Sequence, residues 1–136
     1  MSVITYNDQL RNLLANADCV LAFDTAADFL GLTNGGYRSM AQIFVNQKQN
    51  ISGREQFIVP SLEALECEEH NGLMCTTVNQ TIIDLLEGNG DEQIITESLA
   101  NYYEEHDESF EELRIPEYLL PRFEKYREWA VAYYEE

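Results

Sequence analysis

The stretch Asn71-Gly-Leu-Met-Cys-Thr-Thr-Val-Asn-Gln-Thr-Ile-Ile-Asp-Leu-Leu86 holds three different local instructions in sixteen residues. Asn71-Gly72 is the strongest short hairpin signal in the chain, because both residues tolerate the positive φ of a type I′ turn. It is bracketed by Ala64–Cys67 and Leu73–Thr76, short runs that suit paired strands. Thr77, with Gln80 three residues on, matches a capping box and so opens a helix. Val78, Ile82, Ile83, Leu85 and Leu86 follow at helical spacing, and Gly88-Asn-Gly90 stops the run. Helix signals and then short strand signals precede this stretch, and helix signals follow it.

Toward the N-terminus, Leu10, Leu13, Leu14 and Ala17 lie at i, i+3, i+4, i+7, which predicts a helix from Asn7 to Ala17 capped by Asn7 or Asp8. Asp24 is placed to cap a second, short helix carrying Ala27, Phe29 and Leu30, with Gly31 as its end and Thr33-Asn-Gly-Gly36 as a turn. Gln42-Ile-Phe-Val45 and Gln56-Phe-Ile-Val59 are β-prone, and Gln47–Arg54 between them reads as a loop or an exposed hairpin connection.

Toward the C-terminus, a helix from Asp91 to about Glu105 puts Ile95, Leu99 and Tyr102 on one side, flanked by Ile94 and Tyr103. Pro116 breaks the next stretch, and Pro121 suits the first turn of a last helix. That helix carries Phe123, Tyr126, Ala130 and Tyr133 as a stripe, with Trp129 beside it. The order of elements predicts an α+β fold: a small antiparallel or mixed sheet of short strands with a mainly helical C-terminal half. The 136 residues suit a single domain, with an N-terminal α/β part over about 1–76 and a helical acidic part over about 77–136.

Charge divides at the same place. Residues 1–60 carry five acids and four bases, whereas 61–136 carry twenty acids and four bases, so sixteen of the seventeen net negative charges lie in the second part. A field of that sign repels phosphate backbones and attracts basic protein surfaces. Direct nucleic-acid binding is therefore not expected. The N-terminus has no basic-then-apolar leader pattern, and no apolar run approaches the ~18 residues that suggest a membrane span. With three widely spaced cysteines (Cys19, Cys67, Cys75), this predicts reduced thiols in a cytoplasmic protein that makes no membrane contact.

Sites for chemistry are sparse. His70 and His106 stand far apart outside any metal-ligand spacing, and both read as surface residues. Cys67 sits between Glu66 and Glu68, a setting that disfavours a thiolate, while Cys19 and Cys75 read as small core residues. The glycines form no phosphate-binding loop. No catalytic residue, metal or cofactor is expected, and a small-molecule ligand is not favoured. What remains is the acidic cluster Glu104, Glu105, Asp107, Glu108, Glu111 and Glu112. It reads either as a solvated face or as a partner surface, and if helical it would set Glu104/Glu108 and Glu108/Glu112 against each other at i,i+4. The aromatics of the last thirty-five residues outnumber one helix stripe, so two or three should reach the surface; Trp129, Tyr133 and Tyr134 are the candidates.

Two stretches resemble the core domain of AbiEi-type antitoxins, the protein partners in type IV (abortive-infection) toxin–antitoxin systems. Val20–Thr33 followed by Gln42–Val45 is similar to that family's helix, Gly-Leu pair (Gly31, Leu32) and strand. Gly72–Leu86 is similar to its strand, capped helix and Thr-aliphatic-x-Asp-Leu-Leu signature, matched by Thr81, Asp84, Leu85 and Leu86. Gln80 stands where the family usually has Arg, and Leu30 where it usually has His, so those polar roles do not carry over. The signature begins near residue 20, which leaves no room for the family's N-terminal winged helix. The resemblance implies a non-catalytic antitoxin whose partner is a nucleotidyltransferase-type toxin; that enzyme's Gly-Ser…Asp-x-Asp pattern is absent. The alternatives from charge alone are an acidic nucleic-acid mimic of the anti-restriction or anti-nuclease kind, or an enzyme using clustered carboxylates with a divalent ion.

Overall fold

The computed structural model describes residues 19–33, 41–49, 54–70, 72–88 and 91–135. The helix expected over 7–17, the turn at 34–36 and Asn71 lie outside the described residues. Five strands, β1 (Val20–Leu21), β2 (Ala41–Val45), β3 (Arg54–Ile58), β4 (Cys67–His70) and β5 (Leu73–Thr76), form one mixed sheet in the order β3-β2-β1-β5-β4. Helix α1 (Phe23–Phe29) follows β1; α2 (Val78–Glu87), α3 (Glu92–Glu105) and α4 (Leu120–Glu135) follow β5. The fold is α+β with a helical C-terminal half.

The hairpin forms where Asn71-Gly72 predicts it. β4 and β5 are antiparallel, His70 opposite Leu73 and Cys67 opposite Thr76, and Gly72 takes a φ of +87°. Its first strand starts at Cys67 and not at Ala64, because Leu62–Ala64 is a 3-10 turn capped by the Ser61 hydroxyl. β2 and β3 are parallel, Ala41 opposite Arg54 and Val45 opposite Ile58. That corrects the hairpin alternative for residues 47–54: a hairpin joins antiparallel strands, and these two run parallel. Gln56 holds its start, its Oε1 accepting from Gln49 N and its Nε2 donating to Gln49 O, both at 2.8 Å.

Helix α1 is packed on two sides. Ala26, with Phe29 and Leu30, meets the sheet residues Leu21, Ala41, Ile43, Val45, Leu73 and Cys75. Ala27 meets the helical core, which holds Ile82, Leu85 and Leu86 of α2, Ile95 and Leu99 of α3, and Phe123, Tyr126 and Ala130 of α4. The sheet's other face, with Val20, Ala22, Phe44 and Phe57, is covered by Phe23, Leu62 and Leu65. Each large side chain so buried contributes roughly 1.5–3 kcal/mol.

Asp24 does not cap α1. The N-cap is Ala22, and the chain turns from β1 into the helix through Phe23 at φ +49°. Asp24 is buried in the first turn, where its amide donates to Gln42 Oε1 (3.0 Å) while Gln42 N donates to Thr25 Oγ1 (2.9 Å). The reciprocal pair ties helix start to strand, a job that an exposed cap leaves undone.

Candidate partner-binding surface

Gly31 and Leu32 end α1 as a Schellman motif. Gly31 has φ +78°, its amide donates to Asp28 O, and the Leu32 amide reaches Ala27 O at 2.8 Å. Leu32 is buried against the helices, and its carbonyl accepts from Asn101 Nδ2 at 2.6 Å. Thr33 Oγ1 donates to Glu97 Oε2 at 2.7 Å.

Thr77 caps α2, its hydroxyl accepting from Gln80 N at 3.2 Å. The reciprocal half of the capping box is missing, because Thr77 N is already bound to Glu66 O at 3.0 Å. Gln80 turns instead to Asp84, donating from Nε2 to Oδ1 at 2.9 Å. Thr81 donates to Thr77 O (2.8 Å), so the 2.6 Å contact between the Thr76 and Thr81 hydroxyls uses the Thr76 proton. Leu85 and Leu86 are core residues. Asp84 is the exception in this set. It is buried, its Oδ2 has no hydrogen-bond partner, and burial pushes its pKa up to about 7 against the Gln80 hydrogen bond.

The acidic cluster is arranged by the end of α3. His106 is its C-cap, and its ring stacks on Tyr102 with centroids 3.7 Å apart. A carbonyl only accepts, so the 2.8 Å contact of His106 Nδ1 with Tyr102 O places the proton on Nδ1. His106 is thus half-buried packing and not the free surface residue expected. Asp107 (φ +54°) and Glu108 (φ +57°) follow in the left-handed region, and Glu108 N donates to Tyr103 O at 2.8 Å, closing a second Schellman motif. The helix therefore stops at Glu105. The i,i+4 repulsion of Glu104/Glu108 and Glu108/Glu112 that a continuous helix would suffer does not arise.

After that turn, residues 109–116 run without helix to Pro116. They are held by α2 and by the residue before β4: Arg114 N donates to Asn79 Oδ1 (2.8 Å) and Arg114 NH2 to Glu66 Oε1 (2.7 Å). The return path leaves a groove of about 520 Å3 between the acidic turn and α4, lined among others by Tyr103, Glu108, Phe110, Glu111, Phe123 and Arg127. Tyr134 ties α4 to the acidic turn, its hydroxyl donating to Glu108 Oε1 at 3.2 Å and its ring meeting Tyr103 edge-on at 5.3 Å. That carboxylate, by hydrogen bond and by charge, raises the Tyr134 phenol above its usual range.

The residues singled out from sequence thus separate. Glu108 and Glu111 come together at the groove, with Tyr134 bonded to Glu108 and Glu104 near enough to act on Tyr134. Glu105 and Asp107 are exposed, and Glu112 lies 3.9 Å from His106 Nε2. Trp129 and Tyr133 are exposed at 43% and 49% on another flank of α4, beside Lys125, whose ammonium lies 5.0 Å from the Trp129 ring. The expected stripe ends at Ala130, so Tyr133 is not core. Sequence reasoning missed Tyr103, Phe110 and Arg127 as site residues. Phe110 had a signal, being the one large apolar residue within the run 104–112.

Chemistry elsewhere is limited. Cys75 is buried and its thiol is pushed up to about 12, chiefly by burial. Cys19 and Cys67 are half-buried, and all three are outside disulfides. Among the described residues no group of three or more His, Cys, Asp or Glu is placed to hold a metal ion, and no helix is long and apolar enough to cross a membrane. Comparison with protein-family models and with curated proteins gives no match for this chain.

Proposed function

We propose that this chain is a non-catalytic protein-binding module whose contact surface is the acidic turn after α3 with the adjoining flanks of α4, and whose partner presents a basic surface. The observation that carries the reading is the gathering of Glu108 and Glu111 with Tyr103 and Phe110 around one groove, with Tyr134 bonded to Glu108. Aromatic residues rimmed by charge have the composition of protein interfaces. Carboxylates at the rim speed encounter with a basic partner, and the aromatics supply most of the affinity. The resemblance to AbiEi-type antitoxins narrows the proposed partner to a nucleotidyltransferase-type toxin. A nucleic-acid mimic calls for carboxylates in rows on one face, and the bend at Asp107 and Glu108 favours the protein-partner reading over it.

Affinity purification from cells carrying the native gene neighbourhood tests this, using the wild type and a Glu104→Gln/Glu108→Gln/Glu111→Gln variant. The expected result is a basic protein held by the wild type, lost by the variant and released as salt shortens the Debye length to roughly 3–4 Å. Recovery of the same proteins by both chains, indifferent to salt, overturns the reading.

A further inference from the structure

We propose that the groove between the acidic turn and α4 receives an arginine side chain from an extended basic segment of the partner. The inference rests on the protein-binding reading and names the chemistry of its central contact.

The walls suit a weakly hydrated cation. Tyr103 and Phe110 line the groove as a pair stacked on each other, 5.0 Å apart at an interplanar angle of 26°, and Phe123 meets Phe110 edge-on at 87°. Tyr103 and Phe110 are half-buried, so their rings are partly screened from water yet still reachable. A guanidinium is weakly hydrated and loses little on entering an aromatic-lined groove, whereas a lysine ammonium is a strongly hydrated point charge that gains less there.

The rim suits the same group. Glu108 and Glu111 are exposed at the groove, and among the described residues neither is ion-paired. Glu108 is held in place by the Tyr134 hydroxyl on one oxygen, so its position is set before a ligand arrives. Carboxylates fixed beside an aromatic wall offer the planar, multi-donor recognition in which arginine excels. A volume of about 520 Å3 accommodates one long side chain with the backbone that carries it.

Arg127 also lines the groove and would compete with an incoming cation. Its NH1, however, donates to both oxygens of Glu124, at 3.2 and 3.1 Å, along α4 itself. The groove's own cation is thereby partly neutralised. Its residual charge should weaken arginine binding, which gives the proposal a direction that a merely structural role for Arg127 does not predict.

The test titrates the full chain with three labelled peptides identical except for arginine, lysine or citrulline at the basic positions. Arginine should bind about 5-fold more tightly than lysine, and the neutral citrulline peptide should show no saturable binding. Glu108→Gln/Glu111→Gln should weaken the arginine peptide about 10-fold, whereas Glu63→Gln/Glu69→Gln, an equal charge loss on exposed sites elsewhere, should cost less than about 2-fold. Arg127→Ala should tighten binding by about 3-fold, and this arm stands even if the double variant fails to fold. Equal affinity for arginine and lysine, an equal loss in the control variant, or no binding at low salt overturns the proposal. The broader reading fails separately. A cellular partner that survives Glu108→Gln/Glu111→Gln but is lost on Trp129→Ala/Tyr133→Ala keeps protein binding and discards the groove; if no partner is recovered, the peptide titration still judges the groove alone.

Discussion

Tyr134 reaches back to Glu108, twenty-six residues earlier, and its hydroxyl hydrogen-bonds the carboxylate at 3.2 Å. The bond joins the last turn of α4 to the two left-handed residues that end the preceding helix. Tyr134→Phe removes the hydroxyl and keeps the ring against Tyr103. Amide hydrogen exchange should quicken over residues 107–111 while the melting temperature stays unchanged, since the lost contact is exposed. Equal exchange in both proteins would show that the turn is held by its backbone alone.

Asp84 makes stability depend on pH in the direction opposite to a salt-bridged carboxylate. Its folded pKa of about 7 lies above the unfolded value of 3.8, so between these limits the folded chain binds more protons. Its contribution is most favourable below the unfolded pKa and is lost as pH rises through the folded one, by up to roughly 4 kcal/mol. Asp84→Asn should therefore unfold at higher denaturant than wild type at pH 8, with the advantage shrinking toward pH 4. Replacing Gln80 with Met should lower wild-type stability at pH 8 and have a smaller effect in the Asp84→Asn background, because Gln80 donates to the ionised form. A constant difference across pH would exclude Asp84 as the titrating group.

The two Schellman ends differ in their left-handed residue. Gly31 has nothing within 4 Å of an added Cβ, so Gly31→Ala meets only the backbone penalty of φ +78°, about 1–2 kcal/mol of lost stability. Asp107 already bears that penalty. Asp107→Gly should raise the thermal midpoint slightly, the gain limited by glycine's greater freedom in the unfolded chain, roughly 0.5–1 kcal/mol. Opposite signs in thermal melts at one pH are the expected outcome.

Gly88 is a glycine of another kind. A Cβ there would lie 3.0 Å from both Asp84 O and Phe23 Cε1. Phe23 cannot yield easily, since it packs on Phe44 and Phe57 at 5.2 and 4.7 Å. Gly88→Ala should cost about 1–3 kcal/mol in denaturant titration, as overpacked sites do. A neutral result would mean that the Phe23 ring has somewhere to go.

Trp129 is the one tryptophan in the chain, so its fluorescence reports the flank of α4. Burial of that flank by a partner should shift its emission to the blue. Trp129→Ala and Tyr133→Ala should each weaken binding by about 10-fold or more, as anchor residues do. Stability should move by no more than about 0.5 kcal/mol, because both side chains are already exposed. Unchanged emission at saturation would confine the interface to the acidic side.

Much of this architecture is written in local signals. Asn71-Gly72, the Thr77 cap, the apolar spacing of α2 and α3, and Pro121 each act within one or two turns of chain, so each could be read without its neighbours. β1 could not. Val20-Leu21 is a strand only because β2 and β5 flank it, one antiparallel and one parallel. The parallel pairing of β2 with β3 likewise depends on partners rather than on either run of residues. The acids of the candidate site were countable from sequence, but the groove is tertiary. It exists because α3 ends on Asp107 and Glu108, residues that carry no glycine to announce a stop, and because Arg114 and Asn79 pin the returning segment.

The sheet order has an outcome of its own. Among the described residues β3 and β4 are its two edges, the places where a passing strand could add. Arg54 and Glu55 stand on one edge and Glu68, Glu69 and His70 on the other. Copies of the chain that approach β4 to β4 bring Glu68 and Glu69 together before the first backbone hydrogen bond can form. At β4 the acidity of the chain thus also works against templated self-aggregation, whatever the helices bind.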